Sequence, residues 1–137
     1  MVFRMRNQAR RIAPRYRARD LDVYIGAWGP DYPDPQTNAG TFAYNPDNSE
    51  EAKATGLLAW RNAWNPGDLT AKTEAAVIEG DRDVRKKMYE DIQHEFQAKA
   101  PFAVMFQKIE QTGRWSNVKN LNLGGAITAV AYWPVTK

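Results

Sequence analysis

The densest set of groups able to engage a ligand lies in eight residues, Trp28-Gly29-Pro30-Asp31-Tyr32-Pro33-Asp34-Pro35. An indole is followed three residues later by a carboxylate, and the prolines at 30, 33 and 35 restrict the backbone around both. A carboxylate held at a fixed point attracts a cation by roughly 4 kcal/mol at about 4 Å and an effective dielectric near 20, before desolvation. A tryptophan face beside that cation adds roughly 0.5–2 kcal/mol through cation–π contact. Such a pair suits a ligand carrying a protonated amine. The same residues also have a purely structural reading, in which Asp31 closes an Asx turn and Trp28 belongs to the core. Local chemistry leaves both open.

Chemistry of other kinds finds little to work with. His94 is the single histidine; Glu95 follows it but position 98 is Ala, so the zinc-protease HExxH pattern fails. Ser49 and Ser116 are the only serines, and neither sits in a GxSxG turn. There is no GxGxxG and no Walker loop, and Asp31 with Asp34 lacks the DxDxDG spacing of a calcium loop. With no cysteine there is no thiolate nucleophile, no Cys-ligated metal and no disulfide. The chain reads as a binding module rather than an enzyme, without catalytic residues, cofactor or metal.

The elements that must position Trp28 and Asp31 follow from pattern. Leu21–Trp28 reads as a buried strand, rich in β-prone Val23, Tyr24 and Ile25 and stopped at Gly29-Pro30. Residues 29–48 carry four prolines and read as a long structured loop, closed to helix. A first helix is predicted from Asn48, with Asn48 and Glu51 at capping-box spacing and Leu57, Trp60 and Trp64 on one face, stopped by Asn65-Pro66-Gly67. A second spans about Leu69–Glu79 with Asp68 as cap and Gly80 as stop. A third spans Arg82–Lys99 with Asp81 as cap, the stripe Val84, Met88, Ile92 and Phe96 with Tyr89 alongside, and Pro101 as stop. Beyond it the period changes. Phe102–Phe106 reads as a strand buried on both faces, Trp115–Val118 and Leu121–Leu123 as short strands interrupted by asparagine, and Ile127–Trp133 as a final strand after a Gly124-Gly125 turn. The fold class is mixed α and β.

Charge divides the chain. It carries 19 Lys+Arg against 16 Asp+Glu, a formal net charge of +3. Residues 1–19 hold seven arginines and no acid, about +7, which leaves about −4 on the remainder. The arm lacks the apolar run of a secretory signal. Arg4, Arg11, Arg15 and Arg19 would share a helical face as in a mitochondrial presequence, but there is no serine and Pro14 should break the helix. The arm reads as a solvated, poorly ordered terminus; a small basic-armed nucleic-acid-associated protein is the alternative, disfavoured by the acidic remainder. Hydrophobic content of 43% argues against a disordered chain, and no apolar run is long enough to span a bilayer.

From about Tyr16 to Lys137 the sequence resembles the C-terminal part of the extracytoplasmic solute-binding proteins of ABC importers, specifically the dipeptide/oligopeptide group, family 5. The resemblance rests on Asp20-Leu21-Asp22-Val23-Tyr24-Ile25-Gly26-Ala27-Trp28 running into Gly29-Pro30-Asp31-Tyr32-Pro33-Asp34-Pro35. It continues in the Arg85-Lys86-Lys87-Met88-Tyr89 helix, in Ala100-Pro101-Phe102-Ala103-Val104-Met105-Phe106, in Asn117-Val118-Lys119-Asn120-Leu121, where glycine is usual at the Asn120 position, and in Tyr132-Trp133. It implies part of a type II periplasmic-binding-protein fold: one hinge-type strand at Leu21–Trp28, three helices and several terminal strands. It implies that Asp31 pairs with the α-amine of a peptide, that Trp28 lines the same cleft, and that Asp34 is structural.

Family members are several times longer and begin with a signal peptide. The expectation is therefore a truncated substrate-binding component: residues 1–15 a basic arm outside the family, residues 16–137 the C-terminal part of the domain. A binding cleft between two lobes needs both walls, and this chain would supply one. The resemblance implies a peptide or other small amine-bearing solute as ligand, a membrane permease as partner, and a periplasmic location for the family; the chain as given, without a signal, would stay in the cytoplasm. Nucleic acid is not favoured as a partner. Surfaces that a longer protein would bury should drive self-association.

Overall fold

The computed structural model describes residues 6–107, 109, 111–122 and 132–137. Among the described residues five helices appear, in the order α1 (Arg6–Arg17), α2 (Pro35–Phe42), α3 (Leu58–Arg61), α4 (Asp68–Ile78) and α5 (Arg82–Lys99).

α5 forms as its sequence dictates. The Asp81 carboxylate accepts from the N–H groups of Asp83 and Val84 at 2.9 and 3.0 Å, filling two of the unpaired donors at the helix start. The Ala100 N–H bonds Phe96 O, and Pro101 cannot extend the ladder. Tyr89 and Ile92 are buried, with Met88 and Phe96 packed beside them. Val84 heads the expected stripe but is 49% exposed. α4 begins one residue before the expected position. Its N-cap is Gly67 at φ 59°, ψ −126°, with no side-chain cap bond, and Asp68 lies in the first turn, where its charge suits the helix dipole. The Gly67 N–H donates to Asn65 Oδ1 at 3.0 Å, so Asn65-Pro66-Gly67 is a turn that launches α4.

Two expectations about helices between residues 29 and 65 fail. The first is the claim that prolines bar helix between 29 and 48. Pro35 sits at the first position of α2, where its missing N–H costs nothing, and the Asp34 carboxylate accepts from the Gln36 N–H at 2.8 Å as the cap. The second is the helix starting at Asn48. Residues 49–56 form turns, and only Leu58–Arg61 is helical. The Asn48 side chain is committed elsewhere: its Oδ1 accepts from Arg19 and from Asn45, and its Nδ2 donates to Ala63 O, so it cannot cap a helix.

The core lies where α2, α4 and α5 meet. Ala43, Leu69, Ala76, Tyr89 and Ile92 are buried there, with Ala39, Trp64, Met88 and Phe96 against them. Phe42, Trp64, Phe96 and Phe102 extend it as an aromatic cluster with ring centroids 5.3 to 6.2 Å apart. The ring of Phe102 ties the chain after α5 back to this cluster.

The expected strands differ more. Leu21–Trp28 is irregular and mostly exposed, with Val23 and Ile25 82% and 75% exposed, instead of a buried hinge-type strand. Residues 102–107 are likewise outside any ladder, and Val104 is 89% exposed. β-propensity is realised only when a neighbouring strand supplies hydrogen bonds and a packing surface, and among the described residues neither segment has one. An antiparallel bridge joins Lys119 to Thr136. The expected Gly124-Gly125 turn and most of the Ile127–Trp133 strand lie outside the described residues.

α1 continues through Pro14, where a break was expected. Proline removes one ladder bond, but the Ala18 N–H still reaches Pro14 O at 2.9 Å and the next turn closes. Docking compensates. The Tyr16 ring is buried and stacks on Tyr24 at 3.9 Å, and Asn62 Nδ2 donates to its hydroxyl. Just past the helix, the Arg19 guanidinium lies 3.8 Å from the Trp60 ring centroid and donates to Trp60 O, Asn48 O and Asn48 Oδ1.

Candidate functional site

The loop from Trp28 to Asp34 joins the irregular segment to α2, and α2 fixes it from behind. The Trp28 indole N–H donates to Asn38 Oδ1 at 2.9 Å, and its ring meets Phe42 edge-on at 5.7 Å. Trp28 is therefore neither core nor free: 44% of it faces solvent, and with the N–H engaged it presents its ring. Asn38 and Phe42 escape a reading that excludes helix here. The signal that reveals them is Asp34-Pro35, an N-cap followed by proline at the first helical position.

Asp31 lies at a bend and is exposed. Among the described residues its carboxylate makes no hydrogen bond and no ion pair. The Asx turn of this loop belongs instead to Asp34. Trp28 and Asp31 share the loop but do not hydrogen-bond one another. The pair thus offers an exposed aromatic face and an uncommitted carboxylate three residues apart, a combination suited to a small cation.

Asp34 anchors the loop. Arg85 of α5 donates from both terminal nitrogens to the two carboxylate oxygens, at 2.9 and 3.2 Å. This is the bidentate geometry that adds direction to charge. The Arg85 guanidinium, then the Gln36 N–H, hold the Asp34 carboxyl below the usual carboxylate range. Arg85 also packs over the Tyr89 ring at 4.9 Å, and the Tyr89 hydroxyl donates to Gln36 Oε1 at 2.7 Å. Burial raises the Tyr89 hydroxyl above its ordinary value, so it remains a donor. Through these bonds α5 grips the first turn of α2, and α2 in turn holds Trp28.

His94 is exposed on α5, away from the loop's anchors. Among the described residues, no group of three His, Cys, Asp or Glu side chains is arranged to hold a metal. Likewise no described helix is long and apolar enough to cross a membrane.

Comparison with known proteins gives one kind of relative. The chain is 36% identical over 87 residues to the oligopeptide-binding protein AliB of Streptococcus pneumoniae serotype 4 (strain ATCC BAA-334 / TIGR4), and AliB of strain ATCC BAA-255 / R6 matches to the same extent. The match covers 55% of this chain and 12% of AliB, so the chain spans only a small part of that relative's length. No family model matches, and no solved structure matches.

Proposed function

We propose that this chain is part of the solute-binding component of an ABC-type peptide importer, and that its Trp28–Asp34 loop forms one wall of a site for an amine-bearing peptide. Asp31 is the counter-ion of the α-amine and Trp28 the aromatic wall beside it. The observation that carries this reading is a carboxylate that is exposed and, among the described residues, unpaired, on a loop held from behind by the Asp34–Arg85 pair. The similarity to an oligopeptide-binding protein supports the same ligand class. A type II periplasmic-binding-protein fold for the longer protein, a permease partner and a site of action outside the cytoplasmic membrane belong to the same proposal.

The reading is tested by NMR titration of the Trp28 indole and the Asp31 amide with a free tripeptide and its N-acetylated form. Both signals should move with the free peptide, and Asp31→Asn should weaken binding at least tenfold. Because the chain offers one wall, affinity should be low. Equal response to the acetylated peptide, or an unchanged affinity in Asp31→Asn, would refute the assignment.

A further inference from the structure

Helices α2 and α4 leave an open groove between them, on the side of α2 away from the peptide loop. At about 100° per residue, Gln36 lies roughly opposite Asn38 and Phe42, the two residues that hold Trp28. The groove holds about 360 Å³ and is lined by Gln36, Tyr44, Thr73, Glu74, Val77 and Ile78. Small-molecule sites run from about 300 to 1,000 Å³.

Thr73 distinguishes this groove from a plain surface depression. It stands on the face of α4 that Leu69 and Ala76 turn to the core, and it is 1% exposed. A threonine inside a helix ordinarily satisfies its hydroxyl on the carbonyl one turn earlier. Here the Thr73 hydroxyl makes no hydrogen bond among the described residues. A buried polar group without a partner is costly, and one that lines a groove calls for a partner from outside the chain.

The remaining groups define that partner. Glu74 is exposed and makes no ion pair among the described residues. Burial, then the Glu74 carboxylate, raise the Tyr44 hydroxyl above its ordinary value, so it stays neutral and the carboxylate supplies the charge of the groove. The Gln36 oxygen accepts from the Tyr89 hydroxyl and has a second lone pair to offer. Gly40 lets that amide lie against α2, since a Cβ there would stand 2.9 Å from Gln36 Nε2. Val77 and Ile78, 48% and 85% exposed, add an apolar wall. A bare metal ion needs a shell of several oxygen ligands, and no three acidic or histidine side chains gather among the described residues. A water molecule would satisfy Thr73 but leave the apolar wall uncovered. An unpaired negative charge, free lone pairs and an apolar wall together fit an ammonium group on a hydrocarbon body.

We propose, independently of the peptide reading, that this groove binds a small amphipathic primary amine, with Glu74 as counter-ion, Thr73 Oγ1 as a further acceptor and Val77 and Ile78 as the seat of the hydrocarbon part. The site shares no side chain with the Trp28–Asp34 loop.

The test is methyl and indole NMR of the full chain with phenethylamine and its neutral isostere phenethyl alcohol as probes. The Val77 and Ile78 methyl signals should move saturably with the amine, and the alcohol should bind at least about threefold more weakly. Glu74→Gln should weaken amine binding at least about threefold. Glu90→Gln removes equal charge from α5 and should change it less than about twofold. The Trp28 indole reports the peptide loop separately and should respond to a free tripeptide alike in the parent and in Glu74→Gln. Thr73→Val keeps the shape of the side chain without its hydroxyl. It should weaken the amine and hold or raise the thermal midpoint, because the hydroxyl it removes is unpaired. Four results overturn the proposal: no saturable methyl shift, equal binding of amine and alcohol, equal affinity losses in Glu74→Gln and Glu90→Gln, or a lowered midpoint in Thr73→Val. Failure at the groove with an intact Trp28 response leaves the peptide reading standing.

Discussion

Asp31 and Asp34 stand three residues apart and use the same functional group in opposite ways. Asp31 leaves its oxygens to solvent, while Asp34 spends them on Arg85 and on the Gln36 N–H. Because Asp34 titrates below its unfolded value, its contribution to stability is complete above the ordinary carboxylate range near about 4 and is lost as pH falls through that range and below it. Asp20, Asp47 and Glu95 shift the same way, through Arg15, Ser49 and Lys72 with Lys99 respectively. Urea midpoints should therefore drop between pH 5 and 3, the drop being shallower in Asp34→Asn, whose midpoint at pH 7 is already lower. Arg85→Ala should lower the urea midpoint at pH 7 modestly, because both side chains of the pair remain about a third exposed and solvent screens it. An unchanged pH profile in Asp34→Asn would contradict this. The structural role of Asp34 is what the family resemblance implies. Its partner is not legible in the sequence, because Arg85 lies 51 residues away and nothing local points to it.

At the scale of elements, α4 depends on a backbone conformation that only glycine adopts without strain. Gly67 combines φ 59° with ψ −126° as the N-cap. Gly67→Ala should destabilise the fold by about 1–3 kcal/mol through strain alone, since nothing lies within 4 Å of the added methyl. A thermal unfolding midpoint equal to that of the parent would contradict it. α5 is the element the sequence shows most fully, because cap, stripe and stop are all local and agree. α2 is hidden by counting prolines without asking which helical position each occupies. α3 is short because the would-be cap, Asn48, serves Arg19, a contact that only the docking of α1 creates. The segments 21–28 and 102–107 show the converse. Their strand-like composition is plain, but a strand is a relation between two segments, and the described residues hold no second one.

For the molecule as a whole, apolar surface remains outside. Val23, Ile25, Val104, Trp115 and Trp133 are each at least 75% exposed. Irregular, β-prone segments with unpaired backbone groups are templates for pairing with another chain. Sedimentation velocity should show species that grow with micromolar concentration, and Val23→Lys/Ile25→Lys should shift them toward monomer. A single monomeric boundary at every concentration would contradict this. The charge division visible in the sequence also changes meaning at this scale. The switch from basic to acidic near Asp20 suggests a loose arm beside a folded body. Instead Tyr16 and Arg19, both on the basic side of that switch, are the residues that join the two.

That joint bears on how the chain meets proteases. Between Arg19 and Lys53 there is no basic residue, so trypsin has no site in the exposed stretch 21–30, and a tryptic fragment pattern says nothing about it. Enzymes that cut after aromatic residues have Tyr24 and Trp28 to attack, while the bond after Tyr32 is protected by Pro33. A nick after Trp28 would sever the covalent path from α1 to α2 and leave the helix held by the Tyr16–Asn62 hydrogen bond and the Arg19 clamp on Trp60 and Asn48. The two pieces would then separate in denaturant and travel together in water, which turns the strength of the joint into something a gel-filtration column can weigh.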